Sequence, residues 1–212
     1  MNDNRIMIEE VKEEKDLEIY IRNDLKSSAQ CMKSANKARS ILGMVRRNLK
    51  RLDMDYFLLI YKTYIRPHME LCVQAWSLYL VKDVQCLEIV QQTATKIVPA
   101  LRNLPYEERL WQLKLTTLEE RRCRGDLIKS FKMMTSDKTI SQHLFHPSNT
   151  GHHFRGHSMK LAVTQYRTEV RRHFLSRRIV PNLSRLTQQV VDETSVNCFK
   201  NRLEKKWKDM GI

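Results

Sequence analysis

The chain has 212 residues, of which 42% are hydrophobic, and a formal net charge of +14 at pH 7. This apolar fraction excludes a wholly disordered chain, and the length allows one or two domains with a core. Five glycines and five prolines are too few for an all-β sandwich, which needs a turn about every 8–12 residues. The composition therefore predicts a mainly α-helical fold.

The positive charge is concentrated in two segments. Residues 26–52 contain eight basic residues and no acidic one, and residues 151–191 contain eight basic residues and one acidic residue. Residues 1–25 contain eight acids and four bases. Two basic segments separated by a nearly neutral body are typical of a nucleic-acid-binding protein with two contact surfaces. The alternative interpretation is the ordinary solvated surface of a basic protein.

The first element predicted along the chain is a short β-strand. Leu17, Ile19 and Ile21 alternate with polar or amphipathic residues, which is the period of a strand. A single strand is not stable alone, so it needs a partner later in the chain or in a sheet that the chain lacks.

Residues 26–52 predict one long amphipathic helix with a positive outer surface, because their apolar residues recur at helical spacing. Gly43 lies in a row with Arg39, Arg46 and Lys50, where it leaves room for a phosphate backbone or another helix. The predicted apolar seam consists of Met32, Ala35, Ala38, Leu42, Val45, Leu49 and Leu52.

Capping residues predict where the later helices begin. Asp53, Asp83 and Ser195 suit the N-cap position, because their side chains can accept a backbone N–H of the first turn. Pro67 and Pro105 suit the first helical position. The helix from Pro67 is predicted to extend to Trp76, and Thr117-x-x-Glu120 is predicted to form a capping box.

The helix that begins after Asp53 carries aromatic residues next to bases. Tyr61 and Tyr64 share the spacing of core residues, so we favour core packing for them over base stacking. Arg66 is then the residue that points outward.

Periodicity fails from residue 135 to residue 156, where Ser, Thr, Asn, His, Gly and Pro accumulate, so we predict a loop or hinge. Met159, Leu161 and Val163 alternate and predict a short strand after it. A histidine cluster falls in and beside this loop, but its spacing matches no common zinc pattern, so we favour a surface loop over a metal site. The cluster consists of His143, His146, His152, His153 and His157.

The residues themselves indicate no catalytic site. The sequence has no Asp-Asp pair between strand-like residues, no Gly-rich phosphate loop and no nucleophile motif. Five cysteines without paired spacing fit a reducing, intracellular compartment, nuclear or cytoplasmic. No window of 18 apolar residues is present, so no membrane association is expected.

The candidate nucleic-acid-binding residues are bases of the two basic segments together with Arg66. They are Lys33, Lys37, Arg39, Arg46, Arg47, Lys50, Arg51, Arg66, Arg171, Arg172 and Arg177.

Several runs of sequence match one family in order and spacing. With x for any residue, they are YKTYIRPHME (61–70), VQAW (73–76), LExVQxxATK (87–96), LPYEERL (104–110), LExRRxRGDLI (118–128), RGHSxKL (155–161) and SVxxFKxRL (195–203), preceded by EKDL (14–17). These runs resemble the region downstream of the polymerase core in non-LTR retrotransposon (LINE, jockey-like) reverse transcriptases. One departure is Glu18, where the family usually has Gly.

The resemblance implies a domain organisation. Residues 1–25 would be a palm-edge strand remnant, 26–134 a helical thumb-like domain, 135–156 a loop or hinge, and 157–212 a small basic C-terminal helical lobe. Residues 26–52 would take the place of the first thumb helix, which grips the template–primer duplex. Such contacts go mostly to phosphates and sugars, so they position a duplex without reading its sequence.

The resemblance also implies what the chain lacks. In this family the palm carries the catalytic aspartates in a Tyr/Phe-x-Asp-Asp turn, and an endonuclease domain precedes it; neither occurs in this sequence. The chain would be a truncated RNA-directed DNA polymerase fragment, inactive alone and without a cofactor, since Mg²⁺ would belong to the missing palm. Its partners would be an RNA template, an RNA–DNA or DNA duplex, and the palm and fingers of the parent polymerase.

Two alternatives remain open from the sequence. The chain could be a domesticated basic helical module that binds RNA or DNA, or a helical protein-interaction domain whose basic face binds an acidic partner.

Overall fold

A computed structural model describes residues 10–49, 51–136, 138–148, 157–163 and 165–209. Within these residues the fold is mainly helical with one two-stranded antiparallel sheet, which confirms the predicted fold class. The elements are β1 (Glu13–Asp16), β2 (Ile19–Arg22), α1 (Ser28–Asn48), α2 (Met54–Ile60), a π-helical turn (Tyr61–Ile65), α3 (Arg66–Glu70), α4 (Val81–Thr95), a 3₁₀ turn (Pro99–Leu101), α5 (Tyr106–Gln112), α6 (Leu118–Ser136), α7 (Lys138–Leu144), α8 (Glu169–Arg172), α9 (Leu175–Arg178), α10 (Val180–Ser184), α11 (Gln188–Val191) and α12 (Val196–Asp209).

The N-terminal strand finds its partner immediately upstream, in a hairpin. β1 and β2 pair antiparallel, with Lys15 opposite Tyr20. Leu17 and Glu18 form the two-residue turn with φ of 45° and 67°, the positive values of a type I′ turn. The prediction of a distant partner was wrong. The strand β1 is charged and shows no apolar alternation, so its sequence did not identify it as the partner of β2.

Helix α1 is shorter than the predicted 26–52. Its buried face includes Ala35, Ala38, Leu42 and Val45, as predicted, and α4 and α3 pack against it. Two predicted seam residues are wrong: Met32 and Leu49 are exposed. The helix ends at Asn48, because the backbone is already extended at Leu49, with φ of −112° and ψ of 99°. Asp53, with a ψ of 176°, then caps α2.

The π-helical turn changes which residues of the next helix are buried. It inserts an extra residue before Pro67. In a regular helix residue 67 would donate its N–H to the Thr63 carbonyl, but the ring nitrogen of proline carries no hydrogen. The buried series therefore runs Phe57, Tyr61, Ile65 and Met69. Tyr64 is 60% exposed, so its predicted core position is wrong.

The helix that contains Pro67 stops at Glu70, so its predicted extension to Trp76 is also wrong. The chain turns at Cys72, which has a φ of 50°. Trp76 is nevertheless buried, and its Nε1 donates a hydrogen bond to the Leu71 carbonyl at 2.8 Å. A tight turn thus brings this aromatic residue to the core without helical geometry.

Three of the predicted caps are confirmed. The Asp53 carboxylate accepts the Tyr56 N–H at 2.9 Å, and the Ser195 hydroxyl accepts the Cys198 N–H at 3.1 Å. Both hydrogen bonds of the Thr117–Glu120 capping box form, at 3.1 and 3.2 Å.

The predicted N-cap at Asp83 is wrong, because the N-cap of α4 is Leu80, three residues earlier, and the helix begins at Val81. The Asp83 carboxylate instead accepts a hydrogen bond from the Ser28 hydroxyl at 2.6 Å. Asp83 therefore ties the first turn of α4 to the start of α1.

A buried polar network joins four parts of the first core. The Gln91 side chain in α4 hydrogen-bonds to the Tyr61 hydroxyl and donates to the Tyr106 hydroxyl at 2.8 Å. Glu88 accepts from Tyr106 and from the Leu118 N–H, the latter at 3.1 Å. Burial raises the pKa of Glu88. The network links the π-helical turn, α4, α5 and the N-terminus of α6.

Helix α6 belongs to two apolar cores. Leu118 at its start packs in the core built by α1 to α5, whereas Leu127 and Phe131 pack in a second core with α10 to α12. The rings of Phe131 and Phe199 stack with centroids 4.1 Å apart. The two lobes therefore share one continuous helix.

The segment predicted as a loop or hinge, 135–156, contains helical structure where it is described. Helix α6 continues to Ser136, α7 follows, and residues 149–156 lie outside the described part. Phe145 after α7 is buried against Leu175 and Ile179, so tertiary packing overrides the polar composition. The strand predicted at 159–163 is wrong: Leu161 forms an isolated bridge with Pro147.

Arg178 connects the C-terminal lobe to α6 and to the turn after α3. Its Nε and Nη2 donate to the two carboxylate oxygens of Asp126 in α6, at 2.8 and 2.9 Å. Nη2 also donates to the Val73 carbonyl at 3.1 Å. Burial raises the pKa of the Asp126 carboxyl, and the hydrogen bonds from Arg178 oppose that rise. The nearby rings of Tyr79 and His173 stack with centroids 4.7 Å apart.

The π-helical register predicts losses of stability of very different size at two adjacent residues. Ile65→Ala is expected to lower the free energy of unfolding by about 2–4 kcal/mol, because it leaves a cavity in the core. Tyr64→Ala is expected to cost less than about 1 kcal/mol, because this side chain is exposed. Urea denaturation measures both values. A larger loss for Tyr64→Ala would contradict the π-helical register and favour a regular helix.

Loss of Arg178 is expected to be more damaging than loss of an exposed arginine nearby. Arg178→Met leaves the Asp126 carboxylate buried without its partner, which typically costs about 3–5 kcal/mol. Arg172→Met removes an exposed pair with Glu169 and should cost less than about 1 kcal/mol. Thermal and urea denaturation give the comparison. Equal losses would show that the buried pair is not what joins the lobes.

Candidate nucleic-acid interface

The predicted bases on α1 do not form one uniform row. Lys33 faces the hairpin, where its Nζ forms an ion pair with Glu13 and lies 3.3 Å from the centroid of the Tyr20 ring. Arg39 faces α4, and its Nη2 donates to the Cys86 carbonyl at 3.3 Å. These two bases therefore hold neighbouring elements against α1 as well as carrying charge.

The outer side and the C-terminal end of α1 carry the less engaged bases. Lys37, Arg46 and Arg47 are exposed, and Arg51 is exposed just beyond the helix. No carboxylate in the described part of the chain forms an ion pair with any of these four bases. The last-turn bases also face the negative end of the helix dipole, which stabilises them there. Lys50 lies outside the described residues.

Gly43 lies between these bases on the outer side of α1. A Cβ built at Gly43 would lie 3.6 Å from the Arg47 Nη1, an ordinary van der Waals distance. The guanidinium of Arg47 thus reaches back over the glycine and covers part of the space that the sequence predicted to be open.

Arg66 does not point freely outward, contrary to the prediction. Its side chain is only 16% exposed and pairs with Glu70 at 3.7 Å. Glu70 also binds Arg121 of α6, which donates from Nη2 at 3.1 Å. Burial, and then the charge of Arg121, lowers the pKa of Arg66. Arg66 is therefore part of a half-buried ion cluster between α3 and α6.

In the second basic segment, too, some bases interact with neighbouring side chains and others remain available. Arg171 is exposed and lies over the ring of Phe174, with 5.1 Å between its Cζ and the ring centroid. Arg172 pairs with Glu169 at 3.5 Å. The half-buried Arg177 lies over the ring of Tyr166 at 4.8 Å. Arg171 is the predicted base of this segment that remains most available.

The fold brings the N-terminal segment and the second basic segment to one cleft of about 620 Å³. This hairpin cleft lies between β2, the turn after Trp76 and α8. Arg22 and Lys26 line it, and both also lie near Asp24, at 3.5 and 3.7 Å. Arg171 lines the opposite side. Arg22 was not among the predicted site residues, and no local signal connects it with Arg171, which lies far along the chain.

The histidine cluster does not form a metal site among the described residues. No group of three or more His, Cys, Asp or Glu side chains there could hold a metal ion. His143 and His146 are exposed, whereas His157 is buried with its Nε2 2.7 Å from the Leu183 carbonyl. His152 and His153 lie outside the described residues.

Comparisons of the chain with protein-family models, curated proteins and solved structures give no match. Over the described ranges, no helix is long and apolar enough to cross a membrane.

Gly43→Ala is expected to raise the free energy of unfolding by roughly 0.5–1 kcal/mol. Alanine is favoured over glycine inside a helix, and the added Cβ makes only an ordinary contact with Arg47. Gly125→Ala in α6 is the matched comparison, because its Cβ would also have its nearest neighbour, the Gln74 Nε2, at 3.6 Å. Urea denaturation measures both changes. A destabilised Gly43→Ala variant would contradict the contact geometry described above.

Proposed function

We propose that this chain binds a nucleic-acid duplex through the outer side and C-terminal end of α1, as a thumb helix does in the reverse transcriptases it resembles. The observation that carries this proposal is the group of exposed bases Lys37, Arg46, Arg47 and Arg51, which have no ion-pair partner among the described residues. Bases without a carboxylate partner are free to neutralise phosphates and release their counterions.

The dimensions of α1 suit such a contact. The helix has 21 residues, so it is about 30 Å long. A duplex of the same length carries a phosphate about every 3.4 Å on each strand. Arg46, Arg47 and Arg51 are grouped at the C-terminal end of α1 and can therefore contact one duplex together. Contacts of this kind are independent of base sequence.

The hairpin supports the alignment with this family. Glu18 has a φ of 67°, a value that favours glycine. The family usually has Gly at this position, so the backbone geometry agrees with the resemblance even though the residue differs. The Lys15–Glu18 ion pair at 2.8 Å lies at the same turn.

Under this proposal the chain corresponds to the thumb and adjoining C-terminal region of a non-LTR retrotransposon RNA-directed DNA polymerase. The palm of the parent polymerase would supply the catalytic aspartates and their Mg²⁺, and the RNA template paired with a DNA primer would be the duplex. The role of this chain is then to hold the duplex, and Arg171 at the hairpin cleft would offer a second phosphate contact.

Reversing the charge of two bases at the end of α1 tests the proposal. Arg46→Glu with Arg47→Glu is expected to lower the affinity for an RNA–DNA duplex about tenfold or more, because phosphate contacts are replaced by repulsion. Fluorescence anisotropy at about 50 mM salt measures the affinity. In the wild type, the logarithm of the binding constant should fall linearly with the logarithm of the salt concentration.

The control is Arg102→Glu with Lys129→Glu, which changes the net charge equally at exposed positions outside α1. Circular dichroism confirms that both variants remain helical. An equal loss of affinity in the two variants would show that net charge, and not the α1 surface, determines binding. Absence of duplex binding by the wild-type chain, together with capture of polyglutamate, would favour the acidic-protein alternative.

A further inference from the structure

A second cleft lies on another part of the molecule, between the π-helical turn, α5, α6 and α12. We call it the α5–α12 cleft; its volume is about 640 Å³. None of its lining residues except Arg66 belongs to the predicted site. Its lining includes Trp111, Trp207 and the charged residues Lys62, Lys114, Glu120 and Glu204.

Trp111 on the wall of this cleft is unusually exposed. It lies in α5 between the buried residues Leu110 and Leu113, so its own side chain faces outward and is 79% exposed. Trp207 of α12 lines the same cleft and is half-buried. A large exposed indole provides a flat surface on which an unpaired base can stack, whatever the base.

Two lysines that line the same cleft have no ion-pair partner among the described residues. Lys62 and Lys114 are exposed, and no described carboxylate forms an ion pair with either of them. Two arginines that line the cleft are already paired, Arg121 with Glu70 and Arg124 with Glu204. The cleft thus combines an exposed aromatic ring, two lysines without an ion-pair partner, and two arginines that are held in ion pairs.

The π-helical turn contributes to this arrangement. Lys62 lies within the turn, and Arg66 directly follows it. Both residues line the cleft. The extra residue of the turn leaves Ile65 buried in the core. Inserted turns of this kind occur frequently at functional sites.

Lys114 occupies a position that local geometry does not favour for lysine. Its φ is 50°, in the left-handed region. The Lys114 N–H bonds to the Trp111 carbonyl at 3.0 Å, and the Leu115 N–H bonds to the Leu110 carbonyl at 2.9 Å. These two bonds form a Schellman motif, in which the residue at the place of Lys114 is usually glycine. This cap holds the backbone of Lys114 at the end of α5, three residues after Trp111.

We propose that the α5–α12 cleft binds single-stranded nucleic acid, with a base stacked on Trp111 and phosphates against Lys62 and Lys114. Stacking on an indole requires an unpaired base, so the occupant is a single strand and not a duplex. This site is separate from the α1 surface and does not depend on duplex binding there.

The test measures binding of fluorescein-labelled oligo(dT) and oligo(U) to the full chain by anisotropy, with tryptophan quenching as a second signal. Trp111→Ala is expected to weaken binding about 5- to 150-fold, the range for loss of one stacked base. Trp111→Phe, which retains a stacking ring, should recover most of the affinity. Tyr56→Ala, at another aromatic residue that is 65% exposed, should have no effect.

Lys114→Gly separates binding from folding. Glycine relieves the positive φ, so Tm should rise by about 2–4 °C. The variant should nevertheless lose single-strand affinity several-fold, because a phosphate contact is removed. A gain in stability together with a loss of binding cannot be explained by misfolding.

Three results would overturn the proposal: wild-type affinity in Trp111→Ala, wild-type affinity in Lys114→Gly, or equal competition by polyglutamate of matched charge. Duplex affinity serves as the internal comparison. Trp111→Ala should leave duplex binding unchanged, so a failure of this cleft and a failure of the α1 surface give different results.

Discussion

The side chain of Arg178 connects three segments of the chain that are distant in sequence. Its guanidinium binds Asp126 in α6 and the backbone carbonyl of Val73 in the turn after α3, while its own helix belongs to the C-terminal lobe. Because the Asp126 carboxylate is buried, the loss of either partner would leave an uncompensated charge in a poorly hydrated site. The position of the C-terminal lobe, and with it the hairpin cleft that Arg171 lines, therefore depends on this pair.

The sequence runs 61–70, 87–96 and 104–110 supply much of the interior of the first core. Tyr61, Glu88, Gln91 and Tyr106 come from three of these runs and meet in one buried hydrogen-bond network. Their spacing along the chain reflects the helices that they hold together, and one of them, Glu88, also satisfies the N-terminus of α6. These runs thus contribute residues that build the fold.

The charge pattern predicts a basic protein, but it does not distinguish bases that hold the fold together from bases that face a ligand. Lys33, Arg66 and Arg172 each have a carboxylate partner, whereas Lys37 and Arg46 lie exposed without one among the described residues. The partner of Lys33 lies in the hairpin and is distant along the chain. The α5–α12 cleft shows the same limit more strongly, because its lining extends from Lys62 to Trp207. No window of sequence contains such a site.

The sequence by itself determined the helical class and the helix starts at Asp53, Thr117 and Ser195, because a capping hydrogen bond joins residues within one turn. Only the tertiary structure decided that Tyr64 is exposed and Ile65 buried, since a single inserted residue in a π-helical turn rotates everything after it. It also decided which bases remain unpaired and which meet in a cleft. Those outcomes depend on contacts between distant segments, and local spacing carries no information about them.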